Sequence, residues 1–341
     1  MDHNLNIAIF GAGSIGCYLG GQLLQADQYV SFLGRQTYQK ALQDKGLTLT
    51  HFERSPININ ADSIEFYLEP ESIADADIIL VTVKSQDTEA AAKSIAQYAK
   101  SEALIISFQN GVNNVPVLKN YLPDHTVLGG VVPFNVTAIK PGQFHCGTEG
   151  NLSLQSGDLR LKALSKAFSV SGQGVDIFDD ILPIQWGKLL VNLNNALNTL
   201  TGGTLREGLI QRDYRKALAV IILEGLTIIR RLGIEPANFG KASAEKMIKV
   251  LGLPNFIYKI IMNKIVKIDA SARSSMLDDL ELGRISEVEY LQGEIVRLAE
   301  STHQKAPYNE KILSLVNQAF LEGRSPRLSG TDIYLELGIK K

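Results

Sequence analysis

The chain has 341 residues, enough for two domains that each bury a core. Its composition, 45% hydrophobic and 21% charged, is that of a soluble globular protein, and a net charge of −2 gives no electrostatic reason to expect nucleic acid or an anionic membrane as partner. Two cysteines, Cys17 and Cys146, are too few for a disulfide scaffold and point to a reducing, cytoplasmic setting. No run reaches the ~18 apolar residues of a spanning helix; the longest candidate, 217–223, stops at Glu224.

The first element organises the rest. A short apolar run up to Phe10 has the length of one buried parallel strand. Gly11, Ala12, Gly13, Ser14, Ile15 and Gly16 follow at G-x-G-x-x-G spacing, and the next segment reads as a helix. Gly11 allows the tight turn, Gly13 lets the backbone approach a pyrophosphate, and Gly16 lets the helix pack close to the strand. The diphosphate then rests on the unpaired N–H groups and positive dipole end of that helix. An ordinary βα turn is the plain alternative, but strand before and helix after raise the motif above it. No basic segment precedes the run and no small-residue cleavage site follows, so it does not read as a signal peptide.

The second strand, 29–33, ends at Gly34 and Arg35. Sites for NAD usually place an acid here for the ribose 2′-hydroxyl, whereas an arginine accommodates the 2′-phosphate of NADP. A solvent-exposed loop arginine is the plain reading of Arg35; its position favours NADP(H). Residues 47–50 and 63–68 alternate as antiparallel or edge strands would. A buried strand over 77–83 ends in Lys84, with a helix from about 88 to 99, and the next strand, 103–108, ends in Gln109, Asn110 and Gly111. Lys84 could be a solvated terminus and Asn110 a turn residue. Yet the glycine turn, Arg35, Lys84 and Asn110 all fall at carboxyl ends of strands, where open α/β sheets bind ligands. The stretch 126–147 is expected to continue the sheet, with 151–155 and 175–178 closing it. His145 lies in a glycine-bounded hairpin without a metal-ligand partner at sensible spacing and reads as structural; no metal is expected. Cys17 reads as a small buried residue.

From about Ile181 strand patterns vanish and helices follow over 182–200, 212–232, 239–250, 254–264, 272–282, 287–304 and 307–322. The fold expected is therefore α/β, with a Rossmann-type dinucleotide-binding domain over 1–180 and an all-helical substrate domain over 181–341. A packed interface is expected between them, with a small-molecule cleft there. On the first helix Lys188, Asn192, Asn195 and Thr199 follow i, i+4, i+7, i+11, one face. Such a face either points to water or holds a lysine in a cleft, able to give a proton or stabilise an oxyanion. Further on, Ser286 and Glu289 make an S-x-x-E capping box that would start the next helix, with Glu287 in its first turn. Ser274 and Ser275 could cap the short helix before it.

Taken in order, several motifs resemble the ketopantoate reductases (2-dehydropantoate 2-reductases) over nearly the whole chain. They are Gly11-x-Gly13-x-x-Gly16, Lys84 after a valine-rich strand, Asn110-Gly111, Trp186-x-Lys188-x-x-x-Asn192, and Ser274-Ser275-Met276 leading to Asp279, Gly283-Arg284 and Glu287. The resemblance implies NADPH-dependent reduction of 2-dehydropantoate to (R)-pantoate, on the way to pantothenate and coenzyme A. It makes Lys188 the general acid at the carbonyl oxygen, places Asn192 on the substrate's polar groups and Ser275 on its carboxylate. It sets Glu287 near cofactor and substrate, Asn110 beside the nicotinamide end and Lys84 on the cofactor. Glu287 would favour the ammonium form of Lys188 and desolvation would oppose it; either can win. The best-known members carry another asparagine two turns past the lysine and one beyond the helix end. Here Ala196 and the stretch 204–206, ending in Arg206, stand there, with Asn195 one position away as a substitute. Two alternatives follow: a reductase of a different branched or hydroxylated 2-keto acid, or a dinucleotide-binding protein without catalysis. The intact set Lys188, Asn192, Ser275 and Glu287 argues against the second. Apolar helices such as 217–226 serve as core or as the face of a homodimer.

Overall fold

The structure, a computed structural model, describes residues 4–238, 242–265 and 272–339. The chain divides into two compact units, Met1–Ile181 and Leu182–Lys341.

The first unit begins β1 (Asn6–Phe10), α1 (Ser14–Leu24), β2 (Tyr29–Leu33), α2 (Gln36–Lys45), β3 (Leu47–His51), β4 (Ile57–Ile59) and β5 (Glu65–Tyr67). It continues β6 (Ile78–Val81), α3 (Thr88–Tyr98), β7 (Leu104–Ser107), α4 (Asn114–Tyr121), β8 (Thr126–Val131), β9 (Val136–Lys140) and β10 (Gln143–Cys146), and ends with β11 (Leu152–Gln155), α5 (Arg160–Val170) and β12 (Val175–Phe178). The main sheet runs β12-β11-β8-β7-β6-β1-β2-β5. Pairing is parallel from β8 through to β5, and β11 joins β8 antiparallel. Such a sheet needs helices on both faces, and β1 shows why the sequence permits it. Ile7 and Ile9 enter a core shared with α1 and α5, while Ala8 and Phe10 enter another shared with α3 and α4. All four are buried, each large side chain contributing roughly 1.5–3 kcal/mol. Strand order reverses about β1, which lies between β2 and β6.

One expectation needs correction here. Only β8 of the stretch 126–147 continues the main sheet. The hairpin β9–β10 leaves it for a second, four-stranded sheet, β4-β3-β10-β9. Pro133, just after β8, can donate no ladder hydrogen bond, so the chain turns out of the sheet there. Gly21 lets β3 approach α1 closely, since a Cβ would sit 2.8 Å from both Leu47 Cδ2 and Leu49 Cδ1. Strand β4 was not foreseen, and within this sheet His145 Nδ1 lies 2.8 Å from Thr50 Oγ1.

The second unit is helical: α6 (Leu182–Asn192), α7 (Asn194–Thr201), α8 (Leu205–Ile210), α9 (Arg212–Arg231), α10 (Ala244–Leu251), α11 (Asn255–Ile265), α12 (Ser275–Glu281), α13 (Gln292–Ser301), α14 (Pro307–Glu322) and α15 (Gly330–Glu336). The long helix α9 is central, packing against α6, α8, α10, α13, α14 and α15. Gly225 on α9 meets Leu190 and Ile295 where a side chain would intrude. Four readings are revised. The single helix 182–200 is two, interrupted at Leu193, whose carbonyl accepts from Gln292 Nε2 at 2.9 Å. The helix at 239–250 starts at Ala244, capped by Ser243; residues 239–241 lie outside the described ones. The helix at 287–304 starts at Gln292, after a 3-10 turn over Val288–Tyr290. The expected capping box is therefore not formed: Ser286 Oγ accepts from Val288 N at 3.1 Å, inside that turn. Helices α8 and α15 were not foreseen. Among the described residues no helix is long and apolar enough to cross a membrane.

Candidate active site

In the first unit, four adjacent strands deliver the expected residues to one edge. Asn110 follows β7, Lys84 follows β6, the glycine turn follows β1 and Arg35 follows β2, in the spatial order of those strands. The turn is tied down by Gly11 N and Ala12 N, which both donate to Leu33 O at 3.0 and 2.9 Å. Gly11 has φ +113° and a Cβ there would lie 2.6 Å from Val83 N, so glycine is required twice over. At Gly16 a Cβ would collide with Gly11 O, Thr82 Oγ1 (2.7 Å) and Ile9 Cγ2 (2.8 Å), which is the close helix–strand contact the motif promises. Gly13 differs: its φ of −91° suits any residue, and a Cβ would meet no protein atom closer than 4.0 Å. The protein itself does not demand glycine there. No side chain caps α1, so the first N–H groups of that helix, from Ser14 onward, have no intrahelical acceptor. Ala12 is buried, while Ser14 and Ile15 are half-buried beside it.

Arg35 is exposed at the start of α2, its guanidinium 6.0 Å from the Tyr38 ring centre. Lys84 and Asn110 are half-buried. Beneath them runs a buried polar chain that sequence reasoning missed. Asn114 Nδ2 donates to Asn110 O (2.6 Å) and Ser85 Oγ (3.2 Å); Ser85 Oγ donates to Asn110 O (3.0 Å). Thr88 Oγ1 donates to Asn114 Oδ1 (2.8 Å) and accepts from Gln109 Nε2 (2.7 Å). Gln109 Nε2 also donates to Val83 O (3.2 Å), and Ser107 Oγ donates to Gln109 Oε1 (3.0 Å). The network joins the ends of β6 and β7 and holds the backbone that carries Lys84 and Asn110. The signal was present as polar residues at 107, 109, 85, 88 and 114, all close to strand ends.

In the second unit, Lys188 sits on α6 and is half-buried, as are Asn192 and Asn195. Burial brings the Lys188 pKa down to about 8, and the negative charge of Glu287 opposes the fall. Desolvation thus wins, a question the sequence left open. Glu287 is itself buried, 6% exposed, immediately before the 3-10 turn. Thr199 leaves the expected polar face: it is fully buried and donates back to Asn195 O at 2.9 Å. Ser274 rather than Ser275 is the cap of α12, accepting from Leu277 N at 3.2 Å and donating to Asn195 O at 3.3 Å. Asn198, fully buried, accepts from Ser274 N (2.9 Å) and donates to Gly203 O (3.0 Å). Together these bonds lock α7 to the start of α12 and leave Ser275 half-buried in its first turn. Asp279, 3% exposed, faces Arg284 Nη1 at 3.6 Å. Ala196 is fully buried, and Arg206 is exposed on α8.

Comparison with known proteins identifies the family. Residues 7–158 match the family described as ketopantoate reductase PanE/ApbA, and residues 180–320 match its C-terminal counterpart. A 2-dehydropantoate 2-reductase of Archaeoglobus fulgidus is 29% identical over 317 residues, 91% of this chain and 96% of that one. A PanE/ApbA family ketopantoate reductase from Ralstonia eutropha superposes with a TM-score of 0.78 at 25% identity, over 93% of this chain and 99% of that one. The ternary structure of D-mandelate dehydrogenase with NADH and anilino(oxo)acetate has the same fold, TM-score 0.74 at 21% identity over 93% and 99% of the two chains. With matched regions covering most of its length, the chain belongs to the ketopantoate reductase family and is an oxidoreductase.

Proposed function

We propose that the protein reduces 2-dehydropantoate to (R)-pantoate with NADPH, with Lys188 as proton donor. The observation that carries this reading is a lysine whose pKa is brought to about 8 next to the buried Glu287. A general acid works best when its pKa lies near the operating pH, and ordinary lysine is too weak an acid for that role. The relatives named as 2-dehydropantoate 2-reductases support the substrate. The first unit fits a nicotinamide dinucleotide: the space a Cβ would fill at Gly13 and the uncapped start of α1 suit a pyrophosphate. When bound, that group supplies the hydride. Arg35 would carry the 2′-phosphate charge, and Lys84 and Asn110 would hold the cofactor where β6 and β7 end. Lys188 Nζ would hold a proton against the ketone oxygen, where negative charge grows, and release it there. Glu287 keeps that ammonium charged at neutral pH. Asn192, Asn195 and Asn110 would bond the substrate's polar groups, and Ser275 its carboxylate.

A second reading, a reductase of another 2-keto acid, is favoured by one observation. Ala196 is fully buried and offers no polar group where the family has an amide. The test follows NADPH absorbance with 2-dehydropantoate, pyruvate and 2-oxoisovalerate, with an NADH control. Turnover confined to 2-dehydropantoate upholds the first reading; turnover on another acid moves the substrate and keeps the chemistry. Tight NADPH binding without turnover on any acid overturns both.

A further inference from the structure

The first unit contains a pocket that the reductase reading does not use. Its volume is about 290 Å³, and it is lined by α1, β3, the segment 54–57 and the end of α5. Gln22 lies about 13 Å along the axis of α1 from Gly13, at 1.5 Å per residue, so this pocket is separate from the glycine turn. Gln22 is 1% exposed, lines the pocket, and its Oε1 has no hydrogen-bond partner. Arg54 also lines it, with a buried Nη1 that has no acceptor. No carboxylate occurs among the described lining residues. Burial raises the Tyr18 pKa and the charge of Arg54 opposes the rise; burial lowers the His51 pKa, Arg54 adds to the fall and Glu53 opposes it. The hydroxyl of Tyr18 is already engaged with Cys146. Glu53, exposed and next in sequence, contributes its N–H to His51 Nδ1 at 3.0 Å, which leaves Nε2 of that ring as the donor.

A buried guanidinium N–H without an acceptor and a buried amide oxygen without a donor are both costly to leave unmet. They ask for complementary atoms in one ligand. We propose that this pocket binds a small organic carboxylate carrying a hydroxyl or amino group beside it. Arg54, with His51 Nε2, takes the carboxylate; Gln22 Oε1 takes the hydroxyl or amino proton. Thr50 and Ser171, also in the lining, supply further hydroxyls.

Glycerate and propionate separate the two requirements, because they share a three-carbon carboxylate skeleton but only glycerate carries hydroxyl donors. The full chain is titrated with each while the ring resonances of its five histidines are followed, His51 being assigned with a His51→Gln variant. We expect saturable movement of the His51 signal with glycerate, at least about tenfold tighter than with propionate, the worth of one buried hydrogen bond. Gln22→Leu, which keeps the volume, should bring the two acids to equal affinity, and Arg54→Met should abolish both. Absence of a His51 response to glycerate, equal affinities in the wild type, or a response unchanged in Arg54→Met would each overturn the proposal. The wild-type comparison decides even if a variant fails to fold.

Discussion

The depressed pKa of Lys188 makes the pH profile the sharpest check on its role. Burial takes the group from 10.5 to about 8 despite Glu287, a bias against the ammonium of at most about 3 kcal/mol. If the ammonium is the acid, kcat/KM for keto-acid reduction should be flat near neutrality and fall above about pH 8, as the proton is lost. Glu287→Gln removes the charge that holds the proton on, so the alkaline limb should move down by roughly one pH unit or more. Lys188→Arg should abolish the limb up to about pH 10, since a guanidinium does not titrate there, with activity much reduced by the changed geometry. Lys188→Ala should lower kcat by about 10²–10⁴-fold while NADPH still binds. The same shift acts on stability. The unfolded chain binds the Lys188 proton up to 10.5 and the folded one only to about 8, so stability should rise with pH across that window. Lys188→Met should remove that slope. A limb that stays at pH 8 in Glu287→Gln, or survives in Lys188→Arg, would refute the assignment of this acid.

Two glycines of one motif should fail in different ways. Gly16→Ala forces a Cβ into Gly11 O, Thr82 and Ile9, and should cost about 1–3 kcal/mol, read as a Tm several degrees lower. Gly13→Ala has room and an ordinary backbone angle, so Tm should hold while NADPH affinity drops at least about tenfold, one lost backbone contact to phosphate. Arg35→Ala should erase most of the preference for NADPH over NADH in paired kcat/KM measurements; an unchanged preference would refute the reading of that strand end. Arg215, fully buried on α9, donates to the carbonyls of Leu209, Ile210, Leu251 and Leu253 and to Asn255 Oδ1. Arg215→Met strands those acceptors and should cost about 3 kcal/mol or more in denaturant unfolding, and Arg215→Lys, lacking the planar fork, should not restore it.

The middle of the main sheet was legible because β1, β6 and β7 are buried on both faces and so read as largely apolar runs. The run over 29–33 coincides with β2, and those over 77–83 and 103–108 contain β6 and β7. What β9 and β10 would pair with was not legible. Alternation tells which residues face a core but not which core, and the choice rests on β3 reaching β10 from 95 positions away in sequence at Thr50 and His145. Capping was ambiguous for a similar reason. Ser286 with Glu289 satisfies the local pattern, yet the chain takes a 3-10 turn there, and Glu289 instead accepts from Asn317 Nδ2 on α14 at 3.0 Å.

The polar face of the lysine helix shows how a break in a helix redraws a local pattern. Helical spacing put Lys188, Asn192, Asn195 and Thr199 on one stripe, and the first three remain half-buried together. Gln292, far along the chain and fully buried, donates to the Leu193 carbonyl at the break between α6 and α7. Past that break the stripe no longer holds. Thr199 enters the core, Ala196 joins it, and Asn195 uses its carbonyl to receive both Thr199 and Ser274. The candidate residues were readable by type and position, and the structure places Lys188 and Glu287 within electrostatic reach of each other. How strongly Lys188 gives up its proton was not, because that depends on burial created by the whole unit. The departure at Ala196 also acquires a physical meaning. A fully enclosed alanine is a packing residue, so under the proposed function recognition of the substrate's distal end falls to half-buried polar groups such as Asn195 and Asn192 on the same pair of helices. Asn195→Ala should accordingly raise KM for 2-dehydropantoate far more than for pyruvate, which has no distal hydroxyl to lose; equal effects on the two would place that recognition elsewhere.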